Sequence, residues 1–179
     1  MRSVFSIFIL ASMIAAAYYF AAPVKTSETI IAQSNEVRAA DGDSFAIGAR
    51  KFRLQGIDAP ELKQTCLDES GHTWQCGAAA HGALITLLAQ PGLICEAQVR
   101  DRYNRSLASC ATTSTSDIGA AQVLAGMAIS NEFNGMRDYS NKEDKAKAAK
   151  RGIWRGSFID PKLWRGSHKH TAPVTKPIS

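Results

Sequence analysis

Four carboxylates crowd around Arg53 in residues 41–61, the run DGDSFAIGARKFRLQGIDAPE. Asp41 and Asp43 open it, Asp58 and Glu61 close it, and Arg53 lies between. A hairpin over this run brings Asp43 and Asp58, 15 residues apart in sequence, to the same end of a sheet. Carboxylates held that close repel, and a hard divalent cation such as Ca²⁺ or Mg²⁺ resolves the conflict because it takes carboxylate and carbonyl oxygens. Ala59 precedes Pro60 and is pushed toward extended geometry, which frees its carbonyl as a third protein oxygen. Glu61 follows at the distance from such an ion where a general base or a water-orienting carboxylate belongs.

A second cluster, Asp101-Arg102-Tyr103-Asn104-Arg105, adds another guanidinium. Paired guanidiniums suit a phosphate, whose oxygens accept bidentate hydrogen bonds. Two arginines, a divalent cation and an activated water are the components of phosphodiester hydrolysis, in which the protein chiefly positions groups and neutralises charge. Taken singly, Asp-Gly-Asp is a turn, Asp-Ala-Pro-Glu a loop and a charged hairpin tip a solvated tip. Their conjunction carries the functional reading.

Short strands are expected at 36–40, 44–47 and 51–54, separated by Asp41-Gly42 and Gly48-Ala49. In the third, Phe52 and Leu54 share one face, so Lys51 and Arg53 take the other. Residues 76–89 read as a helix stopped by Pro91-Gly92, 117–125 as a second with Asp117 as N-cap, and 141–151 as a third ended by Gly152. Strands at 93–100 and 105–111 form a hairpin with its tip near Arg102 and Tyr103, which sets Cys95 opposite Cys110. Cys66 and Cys76 then close the loop after Glu61. Zinc is the competing use of four cysteines, but no CxxC pair is present. Five strands with three helices fit an α+β, mainly β, five-stranded OB-fold Greek-key barrel.

Residues 1–22, a short basic start followed by an uncharged apolar run, read as a signal peptide or an uncleaved membrane anchor. Residues 23–34 are expected to be a linker, 35–165 the folded domain and 166–179 a basic flexible tail. The even cysteine count agrees with an exported chain, periplasmic, secreted or anchored through its N-terminal segment. The 21 Lys and Arg against 16 Asp and Glu favour an anionic partner, nucleic acid or acidic polysaccharide, without choosing between them.

Across residues 37–164 the chain resembles the staphylococcal-nuclease-like (thermonuclease) family. The segments that carry the likeness are DGDSF, FRLQGIDAPE, CGAAAHGAL, DRYNRSLASC and AKAAKRGIW, in that order. The resemblance implies an OB-fold, Ca²⁺-dependent, monomeric nuclease that cleaves DNA and RNA and leaves 3′-phosphates. It implies Asp43, Asp58 and the Ala59 carbonyl as Ca²⁺ ligands and Glu61 as general base or water-orienting group. Arg53 and Arg105 would stabilise developing charge, Tyr103 would hold a phosphate, and Asp41 would lie just behind the ligands. Ser44 stands where the family commonly has threonine, and Asn104 replaces the usual tip glycine. Residues 130–140 offer only Phe133 and Tyr139 where relatives present tyrosines near the nucleotide. Relatives of the disulfide-containing type occur among exopolysaccharide (succinoglycan) biosynthesis genes, so the alternative is a non-catalytic envelope protein binding an acidic polysaccharide.

Overall fold

In the computed structural model, which describes residues 27–131 and 138–168, one six-stranded sheet organises the chain. From edge to edge it runs β1 (Glu28–Ala32), β8 (Leu93–Arg100), β9 (Ser106–Ala111), β4 (Arg50–Leu54), β3 (Ser44–Ile47) and β2 (Val37–Ala39). All neighbours are antiparallel except β4 and β9. Two short ladders complete the β structure: β5 (Ile57–Asp58) with β10 (Ile129–Ser130), and β6 (Cys66–Leu67) with β7 (Thr73–Trp74). Four helices follow in chain order: α1 (Cys76–Leu88), α2 (Ile118–Leu124), α3 (Ser140–Ala148) and α4 (Pro161–His168). The expected leader or anchor at 1–22, Phe133 and the tail beyond 168 lie outside the described residues.

On the inner side of the curled sheet, β3 and β4 each contribute a buried aromatic ring. Phe45 and Phe52 stack with ring centroids 5.3 Å apart, and Leu54, Leu84, Leu93, Ile118 and Val123 pack around them. Helix α1 meets this core through Ala80, Leu84 and Leu88, one residue per turn, while Asp117 caps α2 by accepting from the Ala120 amide. The result is the mixed, mainly β, OB-like class the sequence points to.

Three features differ from the sequence expectation. Thr29-Ile30-Ile31, inside the segment read as a linker, pairs with β8 and makes a curled six-strand half-barrel rather than a five-strand barrel. Its β-branched residues favour a strand once an open edge is available. Cys95 faces Cys110 as expected, but a bulge shifts the ladder so that Arg100 faces Ser106 rather than Arg105. A fourth helix, α4, forms where the folded part was expected to give way to a tail.

Disulfides join Cys66 to Cys76 and Cys95 to Cys110, separations of 10 and 15 residues. Loops of this size carry about 2–4 kcal/mol per bridge. Reduction is therefore expected to shift the urea midpoint sharply downward. An unchanged midpoint after full reduction would show that the bridges add nothing to stability.

Candidate active site

The inward alternation of Phe52 and Leu54 turns Arg53 to the opposite face of β4, where Asp43 and Asp58 meet it. Its Nη1 donates to Asp43 Oδ1 at 2.7 Å and its Nη2 to Asp58 Oδ1 at 2.7 Å. Both carboxylates are sealed from solvent, with 2% and 1% of the residue exposed. Asp43 also accepts from Ser44 Oγ at 2.8 Å and from the Ala59 amide at 2.9 Å. Asp41 stays behind as a turn former, its Oδ1 accepting from the amides of Asp43 and Ser44. Burial pushes the Asp43 carboxyl up to about 7; Arg53 opposes the shift, and the charges of Asp41 and Asp58 add to it. Burial also works against the charge of Arg53, yet Asp43 and Asp58 outweigh it and hold its proton more tightly than usual.

Close backbone approaches fix the two acidic turns. A Cβ on Gly42 would meet the Cβ atoms of Ala59 and Ala80 at 2.7 Å, so the middle residue of Asp-Gly-Asp is small to let α1 and the Asp58 loop close on the turn. Gln122, fully buried on α2, donates to the Gly42 carbonyl at 2.8 Å. A Cβ on Gly77 would stand 1.8 Å from the Glu61 carbonyl oxygen, so α1 packs directly on the backbone of Glu61. Buried Gln64 secures the same loop from the other side: its Oε1 accepts from the Glu61 amide and its Nε2 donates to the Ile159 carbonyl. Gly77→Ala is expected to force Glu61 out of place at a cost of about 1–3 kcal/mol. Thermal melting checks this, and an unchanged melting temperature would mean that the loop yields freely.

Arg105 reaches the same site from the hairpin tip between β8 and β9. Asp101 holds it with contacts from Nε at 2.8 Å and Nη2 at 2.7 Å, while Nη1 donates to Ser44 Oγ at 3.1 Å. Ser44 thereby links Arg105 to Asp43. Asn104 takes the left-handed backbone at φ 61°, which asparagine tolerates better than other non-glycine residues, so the tip keeps its turn without glycine. Tyr103, 57% exposed, lies beneath the Arg102 and Arg105 guanidiniums, with carbon-to-centroid distances of 4.9 and 5.4 Å. Tyr139 is not a surface platform: it is buried, and its hydroxyl donates to Asp117. Ile153, Trp154 and Phe158 pack against the Cys66–Cys76 bridge as structural anchors.

One site residue was missed entirely. Arg165 of α4 donates from Nη1 and Nη2 to Asp58 Oδ1 and Oδ2 at 2.9 and 2.8 Å, and from Nη1 to Glu61 Oε1 at 2.9 Å. The bonds to Asp58, and after them to Glu61, hold its proton more tightly than usual although burial opposes this. Asp43, Asp58, Glu61, Arg53 and Arg105 are thus brought into one hydrogen-bonded cluster, with Ala59 in contact through its amide and Tyr103 at the rim. Among the described residues no three His, Cys, Asp or Glu side chains form a ready metal-holding group; Arg53 bridges Asp43 to Asp58, and Arg165 bridges Asp58 to Glu61.

An OB-like half-barrel carrying buried aspartates, a lone glutamate and facing arginines defines a nuclease-like domain. Residues 51–156 match the family model described as "Staphylococcal nuclease homologue", and the chain belongs to that family. The match includes Arg53, Asp58, Glu61, Tyr103 and Arg105, whereas Asp43 and Arg165 lie on either side of it. The chain is also 33% identical over 130 residues to the succinoglycan biosynthesis protein ExoI of Rhizobium meliloti (strain 1021). That alignment covers 72% of this chain and 66% of the relative.

Proposed function

We propose that the chain is an exported, Ca²⁺-dependent nuclease that hydrolyses phosphodiester bonds of DNA and RNA and leaves 3′-phosphate ends. The observation that carries this reading is the single network in which Arg53 spans Asp43 and Asp58 while Arg105 reaches Asp43 through Ser44. Family membership supports the reaction class. The two disulfides and the apolar N-terminal run support export.

The donor set suits a hard divalent ion. Asp43 and Asp58 are buried all-oxygen groups that already converge on cationic partners, and burial, with the charges of Asp41 and Asp58 adding to it, disfavours the charged form of Asp43. Asp43, Asp58 and the Ala59 carbonyl would hold Ca²⁺, which when bound supplies charge neutralisation at the phosphate oxygens. Glu61, part exposed, accepts a proton from the attacking water or orients it. Arg53 and Arg105 stabilise charge that builds on the phosphoryl oxygens, and Tyr103 holds a neighbouring phosphate. The bond to the 5′-oxygen breaks, and the phosphate stays on the 3′ side. A labelled single strand incubated with Ca²⁺ is expected to give 3′-phosphate fragments; fragments ending in a 3′-hydroxyl would rule this polarity out.

The Asp43 carboxyl sets a pH dependence. Its proton must leave before the oxygens can hold a cation, so affinity is full above about 7 and declines below it. Calorimetry should show Ca²⁺ affinity falling roughly tenfold per pH unit on the acid side. An affinity that stays level as the solution is acidified would mean that Asp43 is not a ligand.

A second reading, a non-catalytic binder of acidic polysaccharide in exopolysaccharide biosynthesis, is favoured by the name of the ExoI relative, a succinoglycan biosynthesis protein. A 220 Å³ cavity next to the site, lined in part by Arg50, Lys51, Arg100 and Tyr103, has the charge for such a polymer. Salt-sensitive binding of succinoglycan by a protein that digests no DNA would put this reading first.

A further inference from the structure

Arg165 reaches the carboxylates from outside the segment that defines the family, and it takes the oxygens a cation would need. Asp58 is bound by guanidinium at both oxygens: Oδ1 accepts from Arg53 and Arg165, and Oδ2 accepts from Arg165. Glu61 Oε1 accepts from the same Arg165 Nη1. A guanidinium fork and a divalent ion satisfy a carboxylate through the same lone pairs, so each weakens the other's hold.

The element that carries Arg165 is built to exchange. Asp160 starts α4 by accepting from the amides of Lys162 and Leu163, yet Pro161 is the only residue of the helix that is buried. Leu163 is 68% exposed, and the Arg165 side chain itself is 32% exposed. The contact with Asp58 and Glu61 is therefore a main tie of α4 to the barrel, and solvent reaches it from the Arg165 and Glu61 side, where the side chains are 32% and 28% exposed.

We propose that Arg165 is a built-in cation of the carboxylate site, a residue that sets the site's affinity for a divalent ion by competing with it for Asp58 and Glu61. This rests on the reading of Asp43 and Asp58 as Ca²⁺ ligands. Uptake of the ion displaces the guanidinium, and α4 loosens as the site loads. The site then discriminates against weakly bound monovalent ions, which cannot displace a bidentate fork.

Calorimetric titration of the oxidised protein with Ca²⁺, beside Arg165→Gln and Arg165→Lys, tests the competition directly. Arg165→Gln is expected to bind Ca²⁺ about tenfold more tightly or better, and Arg165→Lys to fall between, because a lysine keeps the charge but not the fork. Hydrogen exchange of the α4 amides is expected to speed up when Ca²⁺ saturates the parent protein. Equal or weaker Ca²⁺ binding by Arg165→Gln, or α4 amides that slow down on loading, overturns the proposal and leaves the metal site standing. Absence of Ca²⁺ binding in both the parent and the folded Arg165→Gln protein overturns the metal reading and the proposal with it. Circular dichroism and melting temperature establish that each variant is folded.

Discussion

Glu61→Gln is expected to lower kcat by about 10²–10⁴-fold with little change in melting temperature. The side chain keeps its size and one acceptor oxygen toward Arg165, so the contact at 2.9 Å has a neutral counterpart. Its backbone, which holds the loop through Gln64 and the Gly77 approach, is untouched. What the variant loses is the ability to take a proton or to orient water by negative charge. Since that loss belongs to the transition state, kcat and kcat/KM should fall together while KM stays near the parent value. A variant that binds DNA weakly but turns over at the parental rate would show that Glu61 serves binding instead.

Arg105→Ala is expected to cost about 10²–10³-fold in kcat, the usual effect of removing one preorganised donor from a developing anionic centre. Here the donor is unusually well placed beforehand. Asp101 grips one side of the fork, and it also accepts from the amides of Tyr103 and Arg105 to shape the turn. Truncation leaves that turn intact, because the amide contacts do not need the side chain. Arg105→Lys should recover only part of the loss, since a single ammonium cannot reach Asp101, Ser44 and a phosphate in the same plane. Full activity in Arg105→Lys would mean that charge alone, not the fork, is used.

The legible part of the site is local. Asp43, Arg53, Asp58 and Glu61 lie within one hairpin and its following loop, and the two-residue alternation of β4 told which side Arg53 faces. The disulfide hairpin was legible for the same reason: strand spacing predicted the Cys95–Cys110 pair, although the bulge that displaces Arg100 from Arg105 left no mark in the sequence. Contacts between distant segments were not legible. Arg165 stands 107 residues from Asp58, at the last position read as folded domain and beside the expected basic tail, with no local pattern that ties it to the carboxylates. Gln64 looks like any loop glutamine until it is found buried between Glu61 and Ile159. Strand β1 was overlooked because an edge strand needs apolar residues on one face only, and three β-branched residues do not make a pattern.

The boundaries also bear on experiments. A fragment beginning at residue 33 would lose β1, the partner of Cys95 and its neighbours in β8, and one ending at 164 would lose Arg165. Activity measured on such pieces would describe a different edge and a differently charged site.

The most direct test is digestion of single-stranded DNA by the purified, oxidised protein in Ca²⁺ and in EGTA, with Glu61→Gln alongside. Cleavage that requires Ca²⁺ and is lost in the variant is the predicted result. Folded protein that leaves the DNA intact in Ca²⁺, or cleaves it equally in EGTA, would contradict the account.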